Sequence, residues 1–345
     1  MKLLIITQKV DINDDNLSFF HRWIEKFSER LEEVYVICLS VGEHDLPDNV
    51  HIFSMGREKG MPKIGQLFLL QRYLMKILPR VDGAFVHMCP IYAIASFPLV
   101  KIFRKKMILW FLHKNVGWKL KLAEKFVDKI ITASEKSCRL KNRRKIKIIG
   151  HGIDTEMFKP RNGKVNDKFI IFSAGRINPS KDLATLINAV DILVNQKGII
   201  DLEVRIAGNP ITQLENKYFS DIKILVHNRG LDSKIRFLGS IPNYKMPEYY
   251  QNSDVFINLS HTGSVDKVVL EAMACGIPVL TCNEAFQEIL DKIYIFDKKD
   301  YKDLAEKIVN LKDARKNPSL REIVLKNHNL DNLIDKIITE FHVQH

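Results

Sequence analysis

The chain has 345 residues and a formal net charge of +12, with 46% hydrophobic and 27% charged residues. This composition is ordinary for a globular protein, and the length allows two domains with separate cores. No stretch reaches the roughly 18 apolar residues that a membrane-spanning helix needs, which excludes a spanning segment.

The first residues and the cysteines both favour a cytoplasmic protein. Met1–Thr7 is apolar but too short for a signal peptide, so we interpret it as the first strand. The five cysteines are odd in number and lack metal-ligand spacing, which is typical of small buried residues in a reducing compartment.

Residues 1–158 are predicted to alternate between strands and helices. An amphipathic helix carries apolar residues between Leu17 and Leu31, and an apolar run covers Ile91–Phe103. This alternation predicts a parallel, doubly wound sheet. The strands are expected at Leu3–Thr7, Val34–Leu39, His51–Met55, Ala84–Met88, Met107–Leu112, Lys129–Thr132 and Ile146–Ile149.

The rest of the chain repeats the alternation. Turn-forming residues mark a linker around Asp154 to Val165, so we divide the chain into domains 1–158 and 159–328. The segment Leu330–Val343 is apolar and periodic, which predicts a last helix. Strands of the second domain are expected near Ile170, Val204, Ile235, Val255, Val279 and Ile295.

Nearly all of the net charge lies in residues 1–158, which contain 27 Lys and Arg against 17 Asp and Glu residues. The densest basic clusters are Lys101–Lys106 and Arg139–Lys147, and the helix expected around Lys63–Arg80 mixes cations with apolar residues. Such a surface favours an anionic bilayer, with each cation contributing on the order of 1 kcal/mol. The alternative is solvated surface charge. No recognised nucleic-acid-binding motif is present, so nucleic acid is not expected as a partner.

A strand-to-helix junction in the second domain carries two cations. Phe169–Ala174 is predicted to be a buried strand, and Leu183–Val194 a helix with one apolar face. Arg176 and Lys181 lie between them, where a planar guanidinium and a point charge could clamp a diphosphate. Ser180 is a candidate N-cap of the helix. The alternative is a solvated Arg and Lys near a loop.

A second junction has the outline of a nucleotide site. The predicted strand Val255–Leu259 runs into a loop of small polar residues, which opens a short helix ending at Gly276. The N–H groups around Ser264–Val268 and the helix dipole suit a phosphate. Glu271 lies one turn inside the helix and leans toward its start, where its carboxylate could accept hydrogen bonds from a ribose diol. The alternative is an ordinary turn with a Glu stabilised by the dipole.

Four segments, in order along the chain, resemble the retaining GT-B glycosyltransferases of the glycosyltransferase 4 family. Gly175-Arg176 with Lys181 resembles the family's diphosphate clamp. Val269–Val279 is similar to its segment Leu-Glu-Ala-Met-Ala-x-Gly-x-Pro-Val. The other matches are Gly150–Pro160, between the domains, and Phe237–Gly239 with Tyr249–Phe256, ahead of the donor loop.

The resemblance implies an α/β fold of the GT-B type, in which two Rossmann-like, doubly wound domains face each other across a cleft. It implies that residues 1–158 bind the acceptor, that residues 159–328 bind a nucleotide sugar, and that the last helix, 329–345, crosses back to the first domain. The donor-binding residues would be Gly175, Arg176, Lys181, Gly239, Ser264, Val265, Asp266, Lys267 and Glu271.

One position departs from the family's pattern. Relatives usually carry a Glu eight residues before Glu271, where it contacts the hydroxyls of the donor sugar, and this chain has Gly263 there. Asp266 could supply a displaced carboxylate, or it could be only the N-cap of the helix. Lys267 could add a cation at the phosphates.

The first domain contributes further candidates. His113 follows a predicted strand and resembles the family's histidine near the donor sugar, which implies a catalytic role. The loop after the first strand is acidic, and Asp11 and Asp15 are candidates for binding acceptor hydroxyls. Asp14 and Asp15 could instead merely cap the helix that follows.

The resemblance implies a retaining glycosyltransferase, and we expect a UDP- or GDP-linked donor. The basic, partly apolar first domain favours a glycan or lipid-linked acceptor, in cell-surface polysaccharide or glycolipid synthesis. Arg176, Lys181 and the helix start would stabilise the charge that develops on the leaving diphosphate. No protein nucleophile, metal or cofactor is expected.

Two alternatives stay open: a GT-B nucleotide-sugar epimerase, and a basic binding protein that has lost catalysis. Peripheral contact with the cytoplasmic face of a membrane is a further expectation.

Overall fold

A computed structural model of the chain describes residues 1–14, 16–161, 167–312 and 318–342. The chain forms two compact units. The first consists of Met1–Gly152 with the segment from Asn329 onward, and the second consists of Ile153–His328. Each unit is an α/β structure built on one parallel sheet.

The strands are β1 Lys2–Val10, β2 Glu33–Val41, β3 Val50–Ser54, β4 Gly83–His87, β5 Lys106–Trp110, β6 Lys129–Thr132, β7 Ile146–Ile148, β8 Phe169–Ala174, β9 Leu202–Ala207, β10 Ile235–Gly239, β11 Val255–Asn258 and β12 Val279–Thr281. The first sheet has the order β3-β2-β1-β4-β5-β6-β7, and the second has the order β10-β9-β8-β11-β12. All neighbouring strands are parallel. The predicted doubly wound parallel sheets are therefore confirmed.

The helices are α1 Ser18–Ser28, α2 Lys63–Ile77, α3 Pro90–Ile102, α4 Trp118–Phe126, α5 Leu183–Asp191, α6 Gln213–Asn228, α7 Met246–Gln251, α8 Lys267–Ala274, α9 Tyr301–Lys312, α10 Pro318–Asn327 and α11 Leu330–His342. Among the residues described above, no helix combines the length and the apolar character needed to cross a bilayer.

Helices cover both faces of the first sheet, which explains why its strands are continuous apolar runs. Residues of α2, α3 and α4 form one core with Leu4 and Ile6 of β1. Residues of α1 and α11 form a second core with Leu3 and Ile5, whose side chains point to the opposite face. The C-terminal helix α11 therefore belongs to the first unit, where Arg30 donates to Asp331.

Two details of the second unit differ from the prediction. The strand expected near Ile295 does not form, because a 3₁₀ turn at Lys292–Tyr294 leaves Ile295 with only an isolated bridge to Thr281. The division between the units falls at Gly152, since Ile153 and Phe158 already pack in the core of the second unit. Part of the expected linker, residues 162–166, lies outside the described residues.

Candidate functional site

The predicted donor residues of the second unit collect at one edge of its sheet. The strand order reverses between β8 and β11, and the loops that follow these two strands carry the candidate cations and the candidate helix start. Ligands of open α/β sheets bind at such a switch point, beyond the carboxyl ends of the strands. The two loops are joined by a hydrogen bond from the N–H of His261 to the carbonyl oxygen of Ser180, at 3.1 Å.

At this edge the neighbouring strands β8, β9 and β10 each end at or just before a glycine, which has no side chain to cover the backbone. Gly175 and Gly208 have φ angles of +144° and +135°, and a Cβ added to Gly208 would lie 2.0 Å from the carbonyl oxygen of Gly175. The N–H of Gly208 donates to the carbonyl oxygen of Gly239 at 2.7 Å. Only glycine permits this close approach of the two strand ends.

Arg176 is held by a carboxylate that the sequence analysis did not identify. Its Nε donates to Oε1 of Glu215 at 2.8 Å, and its Nη2 donates to the same oxygen. Glu215 lies in the first turn of α6, where it forms a capping box with Thr212. The pattern Thr-x-x-Glu ahead of a helix is a readable signal for that box, but it does not reveal the contact with Arg176.

Glu215 stays ionised, which maintains its contact with Arg176 over a wide pH range. Burial acts to raise the pKa of its carboxyl. Hydrogen bonds from the N–H groups of Ile211 and Thr212, together with the guanidinium of Arg176, outweigh burial and lower the pKa to about 2. Glu215 is therefore a carboxylate at any physiological pH, and it orients a guanidinium whose side chain is 46% exposed.

Lys181 faces Asp266 across the same edge, with Nζ 3.6 Å from Oδ2. Asp266 accepts hydrogen bonds from Nδ2 of Asn258 and of Asn283, both at 3.2 Å, and from Oγ1 of Thr262 at 3.4 Å. It stands at the N-cap position of α8, but its side chain makes no capping hydrogen bond. The prediction that its carboxylate caps the helix is therefore wrong, because these polar groups and Lys181 draw it away from the helix N–H groups.

The prediction that Ser180 is the N-cap of α5 is also wrong. Ser180 lies in a 3₁₀ turn, Pro179–Lys181, which is capped by the side chain of Asn178. The helix α5 begins after Asp182, which has a φ angle of +38°. The turn inserted ahead of the helix keeps Ser180 away from the N–H groups of α5.

Glu271 is only 2% exposed and its carboxylate is held by the protein. Oε2 accepts a hydrogen bond from Oη of Tyr250 at 2.9 Å, and Oε1 accepts one from Nδ2 of Asn243 at 3.1 Å. Nζ of Lys267 lies 3.5 Å from Oε1. Burial and the neighbouring Glu271 raise the pKa of Tyr250, so its hydroxyl stays protonated and donates. A carboxylate has about four acceptor positions, so one is left for a ligand hydroxyl.

Burial lowers the pKa of Lys267, although the adjacent carboxylate of Glu271 acts to raise it. Val265 is buried, and the carbonyl oxygen of Ser264 accepts a hydrogen bond from Nδ2 of Asn283 at 2.8 Å. The structure thus places the segment 264–267 beside the start of α8. The binding roles that we assign to these residues stay predictions.

Gly263, at the position where the family usually has a Glu, has a φ angle of +66°. A side chain there would be strained, since left-handed backbone disfavours residues other than glycine. A Glu at this position would therefore carry a backbone strain that Gly263 avoids.

Comparison with known proteins identifies the family. The sequence profile described as "Glycosyl transferases group 1" matches residues 154–327, half of the chain and nearly all of the second unit. The chain belongs to this glycosyltransferase family. Its GT-B fold is that of Anabaena Alr3699/HepE, whose complex with UDP and glucose aligns over 100% of both chains with a TM-score of 0.78 and 16% identity.

Curated relatives in the family match over shorter stretches. The "D-inositol 3-phosphate glycosyltransferase" of Arthrobacter sp. (strain FB24) is 31% identical over 130 residues, or 36% of this chain and 30% of that protein. The "Capsular polysaccharide biosynthesis glycosyltransferase CapM" of Staphylococcus aureus is 29% identical over 226 residues, or 59% of this chain and 53% of that protein. The matched region thus covers 30% of the first relative and 53% of the second.

In the first unit of this glycosyltransferase-family chain, the acidic loop after β1 borders a cavity of about 720 Å³. Asp11 lines it, and Lys9 pairs with Asp11 at 2.9 Å and with Asp14 at 2.8 Å. Asp14 also accepts hydrogen bonds from the N–H groups of Asn16 and Leu17, so it caps the turn just before α1. Asp15 lies outside the described residues.

His113 follows β5, which ends at Trp110, two residues earlier than the predicted strand. Its side chain is exposed, and its Nδ1 accepts a hydrogen bond from the N–H of Asn115 at 3.0 Å. The structure places His113 and Asp11 in the first unit, whereas all the other site candidates it describes belong to the second. Within the described ranges, no group of three or more His, Cys, Asp or Glu side chains is arranged to hold a metal ion.

Proposed function

We propose that the chain transfers a sugar from a nucleoside diphosphate sugar to a hydroxyl of a glycan or lipid-linked acceptor. The observation that carries the proposal is the pair of cations at the β8–β11 switch point. Arg176 and Lys181 stand there beside the bare backbone of Gly175 and Gly208, and each is oriented by a carboxylate. Two oriented cations beside an open backbone suit a diphosphate.

The same pair explains how the site would accelerate the reaction. When the glycosidic bond breaks, positive charge grows on the sugar and negative charge grows on the leaving diphosphate. Arg176 and Lys181 are already oriented by Glu215 and Asp266, so little reorganisation is needed as that charge develops. Preorganised electrostatics of this kind are often the largest contribution to catalysis, and losing one donor costs roughly a hundredfold or more in rate.

For the donor we favour UDP-linked sugars over GDP-linked ones. The structures of HepE with UDP and with UDP-glucose share the fold of this chain, which supports but does not assign the base. Glu271, with one acceptor position left, would accept a hydrogen bond from one hydroxyl of the ribose diol. Gly239, Ser264, Val265 and Lys267 would line the rest of the donor site.

We further propose retention at the anomeric carbon, with the acceptor hydroxyl attacking from the face of the leaving group and a phosphate oxygen taking its proton. This mechanism uses no protein nucleophile, metal or cofactor. His113 would contact the donor sugar, and Asp11 would bind acceptor hydroxyls at the 720 Å³ cavity. The similarity to CapM, named for capsular polysaccharide biosynthesis, supports a role in cell-surface glycan synthesis. We propose that this synthesis takes place on the cytoplasmic face of a membrane. The relatives named above are transferases, so nothing favours the epimerase alternative.

The test is a thermal-shift screen with UDP-, GDP-, ADP- and dTDP-linked sugars, followed by turnover assays with candidate acceptors. Stabilisation by one nucleotide class should be lost in Arg176→Ala and Lys181→Ala. Arg236→Ala is the matched control, because Arg236 is an exposed cation of β10 whose side chain pairs with Glu203. Unchanged binding in both clamp variants would contradict the proposed clamp. Binding without turnover for any acceptor would favour the degenerate binding protein.

Retention is tested separately. The anomeric configuration of the product, read by NMR before it equilibrates, should equal that of the donor. Turnover should also persist in the presence of a strong chelator. An inverted product would contradict the same-face mechanism.

A further inference from the structure

The outer face of α2 carries four large apolar side chains that no part of the described chain covers. Ile64, Leu67, Phe68 and Met75 are 85%, 50%, 68% and 61% exposed. Their spacing of i, i+3, i+4 and i+11 places them on one face of the helix. They therefore line one face of the helix over three turns, interrupted by Gln71 between Phe68 and Met75, and we call this face the α2 stripe.

The helix does not need this stripe to attach to its own unit. Leu70, Leu74 and Ile77 are buried in the core beneath α2 and anchor the helix from its other face. Gln71 lies within the α2 stripe, but its Nε2 donates to the carbonyl oxygen of Ala95 in α3 at 2.9 Å. Its polar group is thus satisfied by the protein and adds no demand for water at the stripe.

Single exposed apolar residues are normal on protein surfaces, whereas a contiguous stripe marks an interaction site. The charge of the helix indicates the partner. Every charged residue of α2 is basic, namely Lys63, Arg72 and Lys76, and all three are exposed. Arg72 follows Phe68 by one helical turn, so a cation borders the stripe directly. An apolar stripe on a helix whose charged residues are all cations matches the boundary between anionic headgroups and acyl chains.

We propose that α2 docks this protein on an anionic phospholipid bilayer. The α2 stripe enters the acyl boundary, and Lys63, Arg72 and Lys76 contact lipid phosphates. The inference deepens the proposed function, on which it rests for the lipid-linked acceptor. It is independent of the donor site, because the stripe belongs to the first unit and the diphosphate clamp to the second.

The experiment is vesicle flotation of the full chain. Vesicles of phosphatidylcholine alone are compared with vesicles that also contain phosphatidylglycerol. The variant Ile64→Ser/Phe68→Ser should weaken partitioning about tenfold or more, since each large apolar side chain contributes on the order of tenfold when it leaves water. Ile224→Ser/Ile293→Ser is the matched control, because these residues are 55% and 59% exposed in the second unit. This control should bind like the parent chain.

A second variant tests the charge. Arg72→Gln/Lys76→Gln should lose the preference for phosphatidylglycerol by about fivefold per cation, and added salt should reduce binding of the parent chain in the same way. Phe68→Trp keeps the stripe apolar and reports its depth. Its fluorescence should be quenched by vesicles with brominated acyl chains more strongly than that of the parent.

Three results would overturn the proposal: equal binding to both kinds of vesicle, equal loss in the stripe variant and its control, or a dimer in sedimentation that Ile64→Ser/Phe68→Ser dissolves. The last would show that a second copy covers the α2 stripe. Thermal stabilisation by the nucleotide sugar is measured on every variant. If it persists while vesicle binding fails, the membrane inference is wrong and the donor site stands. If it is absent throughout, the proposed function itself fails.

Discussion

Tyr250→Phe is the sharpest test of how Glu271 is held. Tyr250 is fully buried, and its hydroxyl donates to Oε2 of Glu271 at 2.9 Å. Phe keeps the ring, which packs against Phe172 and Phe256 with centroids 5.4 Å apart in each case, and removes only the donor. The expected effect is therefore that of one hydrogen bond to a buried carboxylate, about 1.5–3 kcal/mol.

The effect is measured as the thermal midpoint of the second unit. A change of 1 kcal/mol shifts the midpoint by about 2–4 °C in a unit of this size, so we expect Tyr250→Phe to lower it by about 3–12 °C. Binding of the nucleotide sugar should weaken as well, because Glu271 loses part of its orientation.

The neighbouring residue provides the control. Tyr249 stacks on Phe172 at 5.9 Å, and its hydroxyl makes no hydrogen bond to the described part of the chain. Tyr249→Phe should therefore change the midpoint little. In a double-mutant cycle, the effects of Tyr250→Phe and Glu271→Gln should be coupled rather than additive. A loss in Tyr250→Phe no larger than in Tyr249→Phe, or full additivity, would refute the reasoning.

Three further predictions concern the site. Glu215→Gln should weaken nucleotide-sugar binding by about tenfold through loss of the orientation of Arg176, whereas Thr212→Ala, which removes only a cap, should leave binding nearly unchanged. Because the pKa of Glu215 is lowered from 4.5 to about 2, its stabilising contribution is complete above pH 4.5 and is lost as the pH falls toward 2. Acid titrations of stability should therefore be flatter in this window for Glu215→Gln, and an identical slope would count against the pairing with Arg176. Gly263→Glu should lower the thermal midpoint, since left-handed backbone costs a residue other than glycine about 1–2 kcal/mol. Gly263→Asn should lower it less, because asparagine tolerates that conformation better. The reverse order would contradict the expected backbone strain at this position.

Most of the sheet architecture could be predicted from the sequence. Strands such as β1 and β8 have central residues that are buried on both faces of the sheet, so these parts of the sequence are apolar runs of a kind not expected in a surface loop. The segment near Ile295 misled this reasoning, because a short apolar run between charged residues is as compatible with a 3₁₀ turn as with a strand. Periodicity cannot separate the two at that length.

Local polar contacts were less predictable. Ser180 and Asp266 both have the side chains of good N-caps and both lie just ahead of a helix, yet neither side chain makes a capping hydrogen bond to that helix. An inserted turn displaces Ser180, and Asn258, Asn283 and Lys181 attract Asp266. Capping rules consider only the residues next to a helix, whereas Asn283 and Lys181 reach Asp266 from other elements of the fold.

The sequence by itself determined that Arg176 and Lys181 lie at the same edge of a sheet, because both belong to the segment that connects the strand β8 to the helix α5. Only the tertiary structure decided that Arg176 faces Glu215, 39 residues away. It also decided which apolar face of α2 is buried, since Leu70 and Phe68 look alike in the sequence. The pattern of apolar and polar residues along a chain determines its secondary structure and the order of its elements. Which side chains touch, and which stay exposed, depends on the packing of elements that are distant in sequence.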